Sequence, residues 1–163
     1  MLREQNVRLD DLMPLIREQL AAGKTVRFAP RGQSMRPMLR EGIDQVVLAA
    51  PPQKLRKYDL PLYRRESGQY VLHRIVRVDE TAAAGQAVYS CIGDNQFALE
   101  QHVHHDQIIA VVCSFYRGKR QISVGKPLYR LYCRLWHYSR WPRRMACGTM
   151  RRFCRLIGSN KKG

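Results

Sequence analysis

Residues 69–78, QYVLHRIVRV, form the strongest strand pattern in the chain. Valine, isoleucine and tyrosine dominate this run, and such residues favour extended backbone. Five further runs of strand type lie between residues 25 and 116, separated by turn residues and without helical periodicity. This pattern of short strand-type runs separated by turns predicts a mainly β, antiparallel domain. The six predicted strands are Thr25–Ala29, Gln45–Ala49, Leu60–Arg64, Gln69–Val78, Ala87–Ile92 and Gln107–Tyr116.

Helical periodicity flanks this domain on both sides. Apolar residues recur at helical spacing from Leu9 to Leu20, and Gly23 follows them, which predicts an N-terminal helix within residues 1–24. After Lys126 the pattern is helical again, is interrupted at Pro142 and resumes over 145–157. The sequence therefore predicts four parts: the helix at 1–24, a β domain at 25–118, a linker at 119–126 and a helical tail at 127–163.

The positive charge is concentrated in the tail. The chain has 29 Lys and Arg against 13 Asp and Glu, a net charge of +16, and residues 127–163 hold ten of those cations and no acidic residue. Aromatic residues are interleaved with the cations. This pattern is typical of a helix lying on an anionic membrane surface, and nucleic acid is a less favoured partner. A solvated tail, or one docked on its own domain, is the alternative.

Cysteine usage and hydropathy predict neither a metal site nor a cofactor. The five cysteines form no CxxC pair, so no zinc site or disulfide framework is indicated. No secretory signal pattern is present, and the longest fully apolar run, Ile108–Cys113, is far shorter than the ~20 residues of a membrane span. We therefore expect a cytoplasmic protein, peripheral at the inner face of the membrane if its tail binds lipid.

The stretch RGQSMRPML, residues 31–39, offers Ser34 as a nucleophile. A serine hydroxyl needs a base beside it, and histidine is the usual one because its pKa lies near neutral pH. His73 occupies the middle of the strand run 69–78, where a strand would aim it rigidly. The alternatives are a hydroxyl that caps a turn and a half-buried strand histidine. Asp94 follows Gly93 at a strand end, where it is either the carboxylate that orients the histidine or an Asx-turn former.

These motifs together resemble those of type I signal peptidases. GQSMRPML at 32–39 is similar to their nucleophile box, and LHRIVRV at 72–78 is similar to the base box of the type that uses histidine. GDNQFALE at 93–100 resembles the acidic box of that type. KYDLPLYRR at 57–65 and HHDQIIAVVCSF at 104–115 resemble further strands of the family. The resemblance covers about residues 25–116 and implies a signal-peptidase/LexA-like β fold.

The resemblance also implies roles for individual residues. Ser34 would be the nucleophile and His73 the general base, with Asp94 orienting it; Glu100 occupies the second acidic position, where the family has Asp. The family has a hydroxyl or small residue two places before the serine to complete its oxyanion hole, and Gly32 stands there. The implied function is a serine endopeptidase that cleaves a leader or signal segment from a peptide or protein precursor. The alternative is a catalytically weakened binding or regulatory module whose tail binds membrane or nucleic acid.

Overall fold

The computed structural model describes residues 9–80, 87–140 and 142–143. Within these ranges the protein is mainly β, with antiparallel sheets, one N-terminal helix and one C-terminal helix, so the predicted class is confirmed. The helices are α1 (Leu9–Ala21) and α2 (Pro127–Tyr138). The strands are β1 (Val26–Phe28), β2 (Gln45–Ala49), β3 (Pro61–Arg64), β4 (Tyr70–Leu72), β5 (Arg74–Asp79), β6 (Val88–Ile92), β7 (Glu100–His104), β8 (Ile108–Arg117) and β9 (Arg120–Ser123).

The larger sheet is organised around β8. This ten-residue strand, IIAVVCSFYR, is rich in β-branched and aromatic residues, which suit a buried strand position. One edge of β8 pairs with β2, and its other edge pairs with β3 over its first half and with β9 over its second half. β1 extends the sheet beyond β2, and β4 extends it beyond β3. β4 is therefore an edge strand of this sheet.

The smaller sheet has the order β5-β6-β7 and packs over a second core. The chain enters it from β4 through the single residue His73, which corrects the prediction of one continuous strand over Gln69–Val78. The physical reason is burial: residues 71–76 are all buried, whereas a strand with one solvent face would alternate. Leu72 packs in the first core and Ile75 in the second, so the run divides between two sheets.

Two short strands were not predicted. Residues 119–126, expected to be a linker, contain β9, which forms a hairpin with β8. The polar stretch at 100–106, which lies outside the six predicted strands, contains β7, which pairs with β6. Val103 is the one fully buried residue of β7, so the strand carries almost no hydrophobic signal. In both cases the partner strand, rather than local hydrophobicity, stabilises the extended backbone.

Both helices pack on the first core. α1 contributes Met13, Ile16 and Leu20 as predicted from its periodicity. α2 contributes Tyr129 and Cys133, so residues 127–138 belong to the domain and are not a separate unit. The helix predicted over 145–157 lies outside the described residues.

Candidate active site

Ser34 lies half-buried on the loop between β1 and β2, in the wall of a cleft of about 300 Å³. Two residues earlier, Gly32 has a φ of +91°, a conformation that glycine adopts without steric cost. The Gly32 N–H donates a hydrogen bond of 2.8 Å to Oε1 of Glu41, near the end of the same loop. This bond joins the two ends of the loop and fixes the segment that carries Ser34.

The turn after β6 holds Ser34 from the other side. The backbone N–H of Asn95 donates to the carbonyl oxygen of Ser34 at 2.8 Å. A Cβ atom on Gly93 would lie only 2.7 Å from that same oxygen, closer than side-chain carbons approach backbone in proteins. The Gly-Asp-Asn motif therefore positions the serine backbone, and its first residue must be glycine for the two segments to meet.

His73 lies in the same cleft as Ser34, at the junction of β4 and β5. Its side chain is almost entirely buried, and its Nδ1 atom lies 3.1 Å from Oε1 of Glu100 and 3.3 Å from the Tyr63 hydroxyl. Nε2 is thus the ring nitrogen that Glu100 and Tyr63 leave free. Within the described part of the chain no hydrogen bond joins Ser34 to His73, a looseness that active sites without substrate often show.

Glu100 is held in place by two donors besides His73. Its Oε2 accepts from the Tyr63 hydroxyl at 2.6 Å and from Nε of Arg65 at 3.0 Å, while Nη2 of Arg65 donates to Oε1. Burial would raise the pKa of Glu100, but the hydrogen bonds from Arg65 and Tyr63 outweigh it and hold the pKa below its ordinary value. A carboxylate ion therefore faces Nδ1 of His73 at neutral pH.

The same surroundings set the protonation of His73. Burial lowers its pKa below the ordinary value of 6.5, and the charge of Arg65 acts in the same direction, whereas the charge of Glu100 opposes them. The imidazole is consequently neutral at and above pH 6.5. With Nδ1–H donated to Glu100, we assign the free lone pair to Nε2, which is the form that a general base requires.

Sequence reasoning assigned no role to Tyr63 or Arg65. Both lie in KYDLPLYRR, and the only signal was an aromatic residue near the end of a strand. Tyr63 is fully buried at the side of His73, and burial together with its bond to Glu100 raises the pKa of its phenol. Tyr63 therefore stays a hydrogen-bond donor throughout the physiological range and supports the carboxylate.

Asp94 does not orient His73, and this corrects the role expected for it. Its two carboxylate oxygens accept bidentate hydrogen bonds from Arg74, at 2.8 Å from Nε and 2.7 Å from Nη2. Both side chains are buried. Asp94 and Glu100 lie only six residues apart in the same acidic motif, so only their partners in three dimensions distinguish their roles.

Arg74 is the buried cation around which this region is assembled. Besides Asp94, it donates to the carbonyl of Tyr58, the hydroxyl of Tyr129 and Sγ of Cys133. Burial would lower its pKa, but the hydrogen bonds of Asp94 hold the pKa well above the ordinary value. The guanidinium is therefore permanently charged, and every partner stabilises that charge.

α2 touches the site region directly through this cluster. Tyr129 and Cys133 contact Arg74, and the indole N–H of Trp136 donates to the backbone carbonyl of Asp94 at 3.0 Å. Asp94 lies between Gly93 and Asn95, the two residues that contact the Ser34 carbonyl. The C-terminal helix is thus connected to the serine loop through one short turn.

No family model and no curated protein matches this chain. The resemblance to signal peptidases therefore depends on the motifs quoted above and stays an interpretation.

Neither a metal cluster nor a membrane-spanning helix occurs in the ranges that the structure describes. Within residues 9–80, 87–140 and 142–143, no three His, Cys, Asp or Glu side chains converge as metal ligands would. In the same ranges no helix is long and apolar enough to cross a bilayer.

The backbone N–H of Ser34 is the candidate donor for a developing oxyanion. Among the described residues, no acceptor takes the N–H of Ser34, so this group is available to a ligand in the cleft. The Gly32 N–H is committed to Glu41, and glycine supplies no side-chain hydroxyl. The arrangement combines a hydroxyl, a neutral imidazole, a carboxylate ion and one free N–H, which is the set of groups that acyl transfer by serine uses.

Proposed function

We propose that this protein is a serine endopeptidase with a signal-peptidase/LexA-like fold, which cleaves a leader or signal segment from a peptide or protein precursor. The observation that carries the proposal is the placement of Ser34 and His73 in one cleft, with Glu100 3.1 Å from Nδ1 of the imidazole. The order of the nucleophile, base and acidic motifs along the chain, which resembles that of histidine-base signal peptidases, supports it further.

In this mechanism Ser34 attacks the scissile carbonyl while Nε2 of His73 accepts the hydroxyl proton. Glu100 stabilises the imidazolium that forms, and the Ser34 N–H donates to the oxyanion of the tetrahedral intermediate. His73 then returns the proton to the leaving amine. Water, deprotonated by His73, attacks the acyl-enzyme, and His73 gives the proton to the departing Ser34 oxygen, which releases the acid product. The contacts of Ser34, His73 and Glu100 described above are compatible with these roles.

The cleft suits an extended peptide as substrate. β4 lines it with Tyr70, Val71 and Leu72 and pairs only with β3 among the described strands, so its outer edge is open. A peptide added along this edge would gain backbone hydrogen bonds and pass in front of Ser34. The proposed substrate is therefore a segment without secondary structure of its own, as leader sequences are.

A hydroxyl-directed phosphonate probe tests the nucleophile. We expect wild-type protein to be labelled at Ser34, as located by mass spectrometry, and Ser34→Ala to remain unlabelled. His73→Ala should be labelled at least ~10²-fold more slowly, since a positioned base contributes about that much. Ser90→Ala is the matched control, because Ser90 is a half-buried serine on β6 outside the cleft, and it should be labelled like wild type.

Cleavage of an extended-peptide library by wild-type protein, and its loss in Ser34→Ala, would establish peptidase activity. If folded Ser34→Ala were still labelled or still cleaved peptides, the assignment of the nucleophile would be wrong.

A binding or regulatory module with weakened catalysis is the second candidate. The observation in its favour is the oxyanion site: the Gly32 N–H is bound to Glu41 and so is not free to donate to an oxyanion. Loss of one donor costs ~10²–10³ in rate in serine peptidases. Folded wild-type protein that is not labelled and cleaves no peptide would favour this candidate over the peptidase.

A further inference from the structure

α2 presents a second apolar face that points away from the core. Leu128, Leu131, Leu135 and Tyr138 are spaced three, four and three residues apart, so they lie on one side of the helix. Their side chains are 76%, 50%, 63% and 71% exposed. The helix already buries Tyr129 and Cys133 on its opposite side, so packing within the domain does not explain these leucines. We call these four residues the α2 leucine face.

The surroundings of the α2 leucine face are cationic. Lys126 and Arg134 are exposed beside it, and residues 127–163 contain no acidic residue. Arg130 is partly exposed and forms an ion pair with Asp59 at 3.7 Å, so Lys126 and Arg134 are the cations that count here. Apolar side chains framed by Lys and Arg are the pattern of helices that lie in the interface of an anionic bilayer.

A cleft of about 330 Å³ adjoins the same face, between α2 and the β8–β9 hairpin. It shares Leu128 with the leucine face. Its walls are apolar and its charged groups are all cations, which suits an acyl chain with an anionic headgroup. Its lining includes Met38, Phe115, Ile122 and Tyr132 together with Arg117, Arg120 and Lys126.

We propose that the α2 leucine face and its adjoining cleft bind the surface of a membrane that contains anionic lipid. RNA fits less well, because the rings of Tyr132 and Trp136 stack on each other and Arg143 lies over Trp136, so these rings are not presented to bases. A second copy of the chain fits less well, because Lys126 and Arg134 of the two helices would face each other without an acidic partner on either α2.

Vesicle co-sedimentation of the full chain tests the proposal without any catalytic step. We expect binding to phosphatidylcholine vesicles containing phosphatidylglycerol, weaker binding as salt is raised, and at least roughly tenfold weaker binding to phosphatidylcholine alone. Leu131→Gln/Leu135→Gln keeps every charge and should bind at least roughly tenfold more weakly, since burying one leucine changes an equilibrium by about that factor. Lys126→Gln/Arg134→Gln should lose roughly fivefold for each charge on anionic vesicles only.

Leu15→Gln/Ile43→Gln is the matched control. These apolar residues are 54% and 60% exposed and belong neither to α2 nor to the lining of the adjoining cleft, so this variant should bind like wild type. An unchanged urea midpoint confirms that each variant is folded. Equal binding by the leucine variant and wild type would overturn the proposal, as would equal binding to neutral and anionic vesicles. A dimer that the leucine variant abolishes, detected by light scattering, would assign the face to self-association instead. None of these outcomes bears on the peptidase proposal, which the phosphonate experiment decides.

Discussion

At the scale of single residues, Glu100 determines how the candidate site responds to pH. It is the carboxylate that contacts His73, and it also neutralises Arg65. Removing its charge leaves an imidazole that faces the positive charge of Arg65, with the smaller attraction of Asp94 as the remaining opposing effect. Since both the lost attraction and the exposed cation disfavour imidazolium, the pKa of His73 must fall below its already lowered value.

Glu100→Gln is therefore expected to change the pH profile and the rate in opposite senses. The acidic limb of the labelling rate, where His73 becomes protonated, should move to lower pH. The plateau should fall by roughly 10²–10⁴, because an amide can donate to Nδ1 and select the tautomer with the proton on Nε2, which cannot act as a base. Labelling rates with the phosphonate probe between pH 4 and pH 9 measure both effects; an unshifted limb would show that Glu100 does not govern His73.

At the scale of elements, the close approach between the turn after β6 and the serine loop is the feature most sensitive to a single atom. Gly93→Ala places a Cβ 2.7 Å from the Ser34 carbonyl oxygen and 2.9 Å from Oε1 of Gln96. The side chain of Gln96 can move, but the loop backbone must shift to relieve the first contact. A displacement of the nucleophile by a few tenths of an ångström or more follows.

We expect Gly93→Ala to reduce the labelling rate of Ser34 by about 10²-fold, since a misplacement of about 1 Å costs that much. Its control is Gly125→Ala, where a Cβ would lie 3.7 Å from Oγ of Ser123, an ordinary contact, and the rate should not change. Equal rates for the two variants would mean that the turn does not position the serine.

The sequence predicted the elements whose hydrophobic pattern is local. α1 and β2 agree with their predicted ranges closely, because their apolar residues repeat at the spacing of the element itself. β7 and β9 were not predicted, because pairing with a partner strand stabilises them rather than a local hydrophobic pattern. From the motifs we expected Ser34 and His73 to lie close together, and both line one cleft. Whether Asp94 or Glu100 contacts His73 could not be predicted, because the answer depends on the burial of Arg74, which binds Asp94. An arginine within a strand pattern gives no sign of that burial.

At the scale of the whole molecule, α2 is part of the structure that holds the site. Arg74 finds two of its partners, Tyr129 and Cys133, on this helix. Without α2 the guanidinium would lose both hydrogen bonds, and the first core would lose the two buried residues that the helix supplies. If the domain and the tail were separate units, as the sequence predicted, removal of α2 would not destabilise the domain.

Truncation to residues 1–126 is expected to lower the free energy of unfolding by about 3 kcal/mol or more, because the core loses the buried Tyr129 and the Arg74 guanidinium loses two hydrogen bonds. Urea unfolding measures it. Truncation to residues 1–143 is the control, because it keeps every described contact of α2 and so isolates the helix from the residues beyond it. Equal stability of the two truncated chains would show that α2 contributes nothing to the domain.

Two partners of Arg74 lie on α2, so the ribosome makes them after the residues of the candidate site. Trp136 follows Glu100 by 36 residues, and the ribosome needs roughly 2–7 s to add them at the usual rates of translation. During that interval the nascent chain already contains its serine, histidine and carboxylate, but not the helix that encloses the buried cation behind them. The 1–126 truncation, which also lacks α2, corresponds to this unfinished chain. In the proposed peptidase, we expect a nascent chain that ends before α2 to cleave neither itself nor its neighbours, because the helix that supports the site has not yet been made.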